Sequence, residues 1–207
     1  MFITEIVVSV IMTVLSVFYV KKELGKGHIS IGIVMLLSLT GLLFCQRYFK
    51  GYIALENLIY IFALLILYPL AWIDASRKII PNKVLIFVLI CRILLLSIEI
   101  IDEPDNYLML LKNYGIPLLF IAVFCGIALL IFKDGIGMGD VKLLLLLSIY
   151  FGTKCMFSVL FFAMVGAFFV ALYLLIFKKA SRKSTLPFAP LLLIGAYITV
   201  FLLNYSD

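Results

Sequence analysis

Apolar residues in this chain come in long blocks instead of alternating with polar ones. Eight blocks, at about 2–20, 31–46, 53–73, 84–101, 115–132, 139–153, 155–177 and 188–204, are separated by short clusters of Lys, Arg, Asp, Asn, Gly or Pro. A bilayer-spanning helix needs roughly 20 mostly apolar residues, because the hydrocarbon layer is about 30 Å thick and each residue rises about 1.5 Å. The pattern therefore predicts an all-α fold, a polytopic membrane helix bundle of about eight (six to eight) transmembrane helices. The second, sixth and eighth blocks are short and fit a locally thinned bilayer or an incomplete crossing. Connections of about 5 to 15 residues, with no Ser, Gly or Pro-rich linker, predict one membrane-embedded domain over residues 1–207. The first block carries Glu5, lacks a basic segment before it and shows no small-residue cleavage pattern, so it reads as a retained helix and not as a secretory signal.

Composition agrees with the pattern. With 66% hydrophobic and 14% charged residues and a mean hydropathy of +1.27, the chain has too little polar surface for a soluble globule. The net charge of +6 would suggest a nucleic-acid partner if it formed one patch. It is instead spread between the apolar blocks, which predicts no nucleic acid and makes the charge a guide to topology. With the amino terminus outside, twelve of the 17 basic residues fall on the inner side: Lys21, Lys22, Lys26, Arg77, Lys78, Lys83, Lys133, Lys142, Lys178, Lys179, Arg182 and Lys183. Cys45, Cys91, Cys125 and Cys155 are isolated and His28 stands alone in a basic loop, so no metal site, disulfide framework or cofactor is expected. The remaining partner of the surface is membrane lipid, which the basic loops also favour.

Charges at the ends of apolar helices are costly, and two aspartates occupy such places. In Trp72-Ile73-Asp74-Ala75-Ser76-Arg77-Lys78-Ile79-Ile80-Pro81-Asn82, Asp74 ends an apolar run about one turn inside the interface marked by Arg77 and Lys78, and Pro81-Asn82 opens the next helix. In Gly135-Ile136-Gly137-Met138-Gly139-Asp140-Val141-Lys142-Leu143, Asp140 opens the short sixth block. Alternate glycines there permit close backbone approach, and a helix start favours an anion. Although 66 residues apart, both aspartates fall on the inner side of the charge-derived topology.

Two carboxylates brought together share a proton, so one can act as base on water while the other protonates the oxyanion or leaving nitrogen of an amide. The plainer reading of either aspartate alone is a helix cap at the interface. Asp134 could assist as a neighbouring loop charge, Lys142 could tune Asp140 or snorkel, and Arg92 could pair with a carboxylate or snorkel outward.

At these residues the sequence resembles the type IV prepilin peptidases. Their pattern of an aspartate, a short polar loop and Ile-Pro-Asn corresponds to Asp74 with Ile80, Pro81 and Asn82. Their Gly-x-Gly-Asp-x-Lys-Leu corresponds to Gly137, Gly139, Asp140, Lys142 and Leu143. Leu186-Pro187-Phe188-Ala189-Pro190 is similar to the family's Pro-Phe-Gly-Pro, with Ala189 in place of glycine. The resemblance implies an intramembrane aspartic endopeptidase with Asp74 and Asp140 as catalytic residues. Its expected activity is removal of the leader from pilin-like or pseudopilin precursors on the cytoplasmic side of the plasma membrane. Many members also carry a cysteine-containing inner loop and methylate the new amino terminus. Here the corresponding segment, Lys21 to Ser30, has no cysteine pair, so the peptidase activity alone is expected. Presenilin-like proteases share Gly-x-Gly-Asp, but their Tyr-Asp and Pro-Ala-Leu signatures are replaced here by Ile73-Asp74 and Pro187-Phe188. A proton- or cation-coupled transporter using buried carboxylates, or a non-catalytic membrane assembly factor, is the alternative class of function.

Overall fold

A computed structural model describes residues 2–24, 55–102, 104–131, 137–177 and 186–206. The second apolar block (31–46), Lys26, His28, Cys45, Lys133, Asp134, Gly135 and the basic cluster Lys178 to Lys183 lie outside the described residues. Within them the elements are helices: α1 (Phe2–Leu24), α2 (Leu55–Arg77), α3 (Asn82–Asp102), a 3-10 turn (Pro104–Asn106), α4 (Tyr107–Ile131), α5 (Met138–Phe177) and α6 (Ala189–Ser206). Leu58–Arg77, Asn82–Asp102, Pro104–Ile131 and Met138–Phe177 are long and apolar enough to cross a membrane, and Ala189–Leu202 is a shorter apolar helix. The all-α, multi-pass expectation holds. Exposed positions support it too: Ile93, Leu94, Leu119 and Phe168 are large, apolar and more than half exposed, as a lipid-facing surface requires. The chain forms two compact units, Met1–Lys78 with Val159–Asp207, and Ile79–Ser158.

In the first unit α2 is the central helix. Its Leu64, Leu67 and Leu70, at three-residue spacing on one face, are fully buried. It packs against α6 and α1, with Tyr68 and Tyr197 meeting edge to face at 5.9 Å. Val20 of α1 and Ile73 of α2 share a buried cluster, and Arg77 Nη1 lies 3.5 Å from Glu23 Oε2. That exposed ion pair contributes little energy, but it puts the carboxyl ends of α1 and α2 at one level, as the charge-derived topology expects of Lys21, Lys22 and Arg77. α6 approaches the last part of α5 closely at Gly195, where an added Cβ would stand 2.6 Å from the Val159 carbonyl oxygen.

The second unit contains α3, α4 and the first part of α5. A straight helix of 40 residues, the extent of α5, would be about 60 Å long, twice the hydrocarbon thickness. It is interrupted at Gly152 (φ 58°, ψ −171°), close to the boundary expected between the sixth and seventh blocks. A left-handed φ there suits only glycine, and a Cβ would also stand 2.9 Å from the Asn113 side-chain amide.

Each orphaned backbone group at this break is costly in lipid, and α3 and α4 supply partners for two of them. The Thr153 amide donates to Asn113 Oδ1 at 3.0 Å, and the Thr153 hydroxyl donates to the Asn113 carbonyl at 2.7 Å. That carbonyl is available because its usual helical donor, four residues on, is Pro117, which has no N–H. On the other side of the break, Arg92 Nε donates to the Ile149 carbonyl, and the Tyr150 hydroxyl donates to the Val88 carbonyl at 2.8 Å.

α4 starts at Tyr107, earlier than the expected 115. Hydropathy takes Lys112-Asn113-Tyr114 for a loop, but these residues continue the helix because Asn113 and Tyr114 have internal partners. Tyr114 donates to Glu99 Oε1 at 2.8 Å.

Candidate active site

Asp74 sits in the last turn of α2, one turn before its end at Arg77. The helix closes with the Lys78 amide donating to the Asp74 carbonyl at 2.8 Å, and Lys78 takes the left-handed conformation (φ 55°) that commonly ends helices. Lys78 is not glycine, so this ending carries a cost of about 1 kcal/mol. Its ammonium acts electrostatically on the Asp74 carboxylate.

The Asp74 side chain is buried, with 4% exposed, and its Oδ2 accepts a hydrogen bond from the Ala189 amide at 3.0 Å. The geometry follows from the third motif. Leu191 and Leu192 amides both donate to the Phe188 carbonyl at 3.1 Å, which makes Phe188 the residue before the first turn of α6. A phenylalanine side chain cannot cap a helix, and Pro190 has no amide hydrogen to offer. The donors left at the helix start are the amides of Phe188 and Ala189, and both act on Asp74. Asp74 thus serves as the cap of a helix 115 residues away in sequence, at the positive end of its dipole. The motif was legible in the sequence, but its relation to Asp74 was not. Alanine serves as well as glycine for this bond, because the donor is main chain.

In the second unit, Gly137 precedes α5 and its carbonyl accepts the first helical bond, from Val141 at 3.2 Å. Asp140 is the third residue of the helix and half-buried. Its carboxylate folds back over Gly137, where an added Cβ would lie 3.0 Å from Oδ2. Gly139 faces Ile80: a Cβ there would stand 3.1 Å from the Ile80 Cβ. Lys142 Nζ donates to Asn82 Oδ1 at 3.1 Å, while the Pro81 carbonyl accepts the first bonds of α3 from Val84 and Leu85.

The Ile-Pro-Asn and Gly-x-Gly-Asp-x-Lys segments therefore clasp each other, one side chain against a glycine and one lysine against an amide oxygen. Removing either polar partner of that clasp has a measurable signature. In a double-mutant cycle of Lys142→Met and Asn82→Leu, thermal unfolding in detergent should show a coupling of about 0.5–1 kcal/mol; additive effects would mean that the bond contributes nothing.

Beside the clasp runs an apolar groove of about 600 Å³, lined by Leu85, Ile86 and Leu89 of α3, Leu118 of α4, and Leu145, Leu146 and Ile149 of α5, with Asn82 and Lys142 at one end. Among the described residues no three His, Cys, Asp or Glu side chains gather as metal ligands, and Cys91, Cys125 and Cys155 are in no disulfide. Asp74 belongs to the first unit and Asp140 to the second.

Arg92, left open by the sequence, is buried with 2% exposed and paired with Glu99, itself 7% exposed. The signal for that partner was present: opposite charges seven residues apart on an apolar helix share a face.

Residues 58–175 match the family model described as the type IV leader peptidase family. The matched segment includes both aspartates. Among characterised proteins, the chain is 29% identical over 160 residues to a prepilin leader peptidase/N-methyltransferase of Bacillus subtilis (strain 168). The alignment covers 77% of this chain and 61% of that protein, so the chain spans under two thirds of its relative. No solved structure matches.

Proposed function

We infer function from one premise: the chain belongs to the type IV leader peptidase family. The protein is proposed to be an aspartic endopeptidase of the plasma membrane that removes the leader from type IV pilin-like or pseudopilin precursors on the cytoplasmic side. The observation that carries this reading is that the family match runs through both aspartate motifs. The capped, buried Asp74 and the clasp behind Asp140 support it.

In the proposed reaction the carboxylates of Asp74 and Asp140 share one proton around a water molecule. The ionised member takes a proton from the water as its oxygen bonds to the scissile carbonyl carbon, and the protonated member gives its proton to the carbonyl oxygen. Collapse of the tetrahedral species breaks the C–N bond, with a proton passing to the leaving nitrogen. Gly137, Gly139, Ile80, Pro81, Asn82 and Lys142 hold the segment bearing Asp140, and Pro187, Phe188 and Pro190 shape the helix start that holds Asp74. No cofactor or metal enters the scheme.

A basic leader is repelled by basic inner loops, so recognition is assigned to packing of the precursor's apolar helix against the spans, amid membrane lipid. The Bacillus relative's name includes N-methyltransferase. For this chain the peptidase activity alone is proposed, since its basic segment from Lys21 to Ser30 has no cysteine pair.

The test is co-expression with a tagged pilin-like precursor from the same genome, reading leader removal by gel shift. A shortened precursor that appears only with the enzyme is the expected result. An inserted protein that leaves several such precursors intact would sink the reading, and proton-dependent flux in vesicles would then favour a transporter.

A further inference from the structure

We propose that Arg92 is a positioning residue for Asp140, acting through the bond from its Nε to the Ile149 carbonyl. The inference rests on the peptidase reading for its kinetic consequence, though not for its structural one.

The helical segment that carries Asp140 is short. It begins at Met138 and is interrupted at Gly152, so its final carbonyls lack the donors that a continuing helix would supply. One of them, Ile149, receives the Arg92 Nε–H. A guanidinium at a helix carboxyl end also opposes the negative end of the dipole.

What turns this contact into a ruler is that Arg92 is itself held by partners on α3 and α4. Its Nη2 donates to Glu99 Oε2 at 3.0 Å. Its Nη1 lies 3.0 Å from the same oxygen without hydrogen-bond alignment. The Tyr114 ring covers the guanidinium at 4.3 Å, and Tyr114 in turn holds the other Glu99 oxygen. A donor fixed on α3 and aimed at one carbonyl sets how far the Asp140 segment slides along α3. The Ile80–Gly139 and Asn82–Lys142 contacts fix the other end. Pairings advance in the same direction along both helices, from 80 with 139 to 92 with 149, so loss of the Arg92 bond leaves the far end held to α3 by the Tyr150–Val88 bond and loosens the segment along the axis on which Asp140 lies. A misplacement of about 1 Å can cost about 100-fold in rate.

The donor can be tested apart from the charge. Glutamine places its Nε2 the same number of bonds from Cα as the arginine Nε, and methionine has the same length without a donor. Arg92→Gln/Glu99→Gln and Arg92→Met/Glu99→Gln remove the ion pair equally and differ in that donor. Register is read by oxidative cross-linking of Ile80→Cys with Gly139→Cys in a background freed of the native cysteines, since the two Cβ positions are 3.1 Å apart, near disulfide range. Turnover is read as leader cleavage by the same double variants without the reporter cysteines.

The expected result is that the Met variant cross-links several-fold more slowly and loses at least about tenfold in kcat with KM within about twofold, while the Gln variant stays near wild type in both. Equal cross-linking by the two variants would overturn the proposal. So would equal loss of both readouts together with folded yield, which would make the site merely structural. If the wild-type protein cleaves nothing, the functional reading fails by itself, and the cross-linking result still decides the positioning claim.

Discussion

Asp74→Asn and Asp140→Asn are each expected to abolish leader removal while leaving the amount of inserted protein unchanged. The loss should be at least about 100-fold, the lower range for a general acid or base. Asparagine is the informative replacement because of what Asp74 does for the fold. An asparagine oxygen can still accept the Ala189 amide, so the start of α6 remains capped and the deficit is chemical. Asp74→Ala removes the cap as well, and should cost about 1 kcal/mol of stability in addition. Comparison of the three variants by gel shift and by thermal unfolding separates the two roles. Cleavage by either Asn variant at the wild-type rate would refute the proposed dyad.

The largest effect on stability is expected from Gly195→Ala. The new methyl would stand 2.6 Å from the Val159 carbonyl oxygen and 2.9 Å from the Ala163 nitrogen, both backbone atoms with no rotamer to change. α6 and the last part of α5 would have to separate, at a cost of about 2–4 kcal/mol. Gly166→Ala is the matched control on the same helix pair, because its methyl meets a Leu191 methyl at an ordinary 3.6 Å. It should stay within about 0.5 kcal/mol of wild type. Equal melting temperatures for the two variants would contradict the close approach at Gly195.

Much of this was legible in the sequence, for identifiable reasons. Helix positions followed from hydropathy because lipid penalises every unpaired backbone group and leaves little besides helices. Asp74 and Asp140 stood out because charge at the edge of a span needs a reason. Hydropathy was less successful where polar residues were satisfied internally. Asn113 and Tyr114 looked like loop, yet they continue α4 while serving the break at Gly152 and the Glu99 carboxylate. Glu99 passed unnoticed because it lies near the end of an apolar block, where a single charge usually reaches water. The service of Pro187 to Pro190 to Asp74 depends on which amides remain unpaired at a helix start, and on a pairing across 115 residues that local pattern does not encode.

That last pairing also has a timetable. The carboxylate of Asp74 is made early and its amide partner at Ala189 late, with 115 residues between them. At about 5–20 residues per second, a ribosome takes roughly 6–23 s to cover that interval. Through all of it the carboxyl end of α2 is in or near the membrane without the helix start that later receives its aspartate. This half of the proposed site therefore reaches its final form only after α6 has left the ribosome and docked. A nascent chain halted between α5 and α6 would carry both aspartates and still lack the environment of the first.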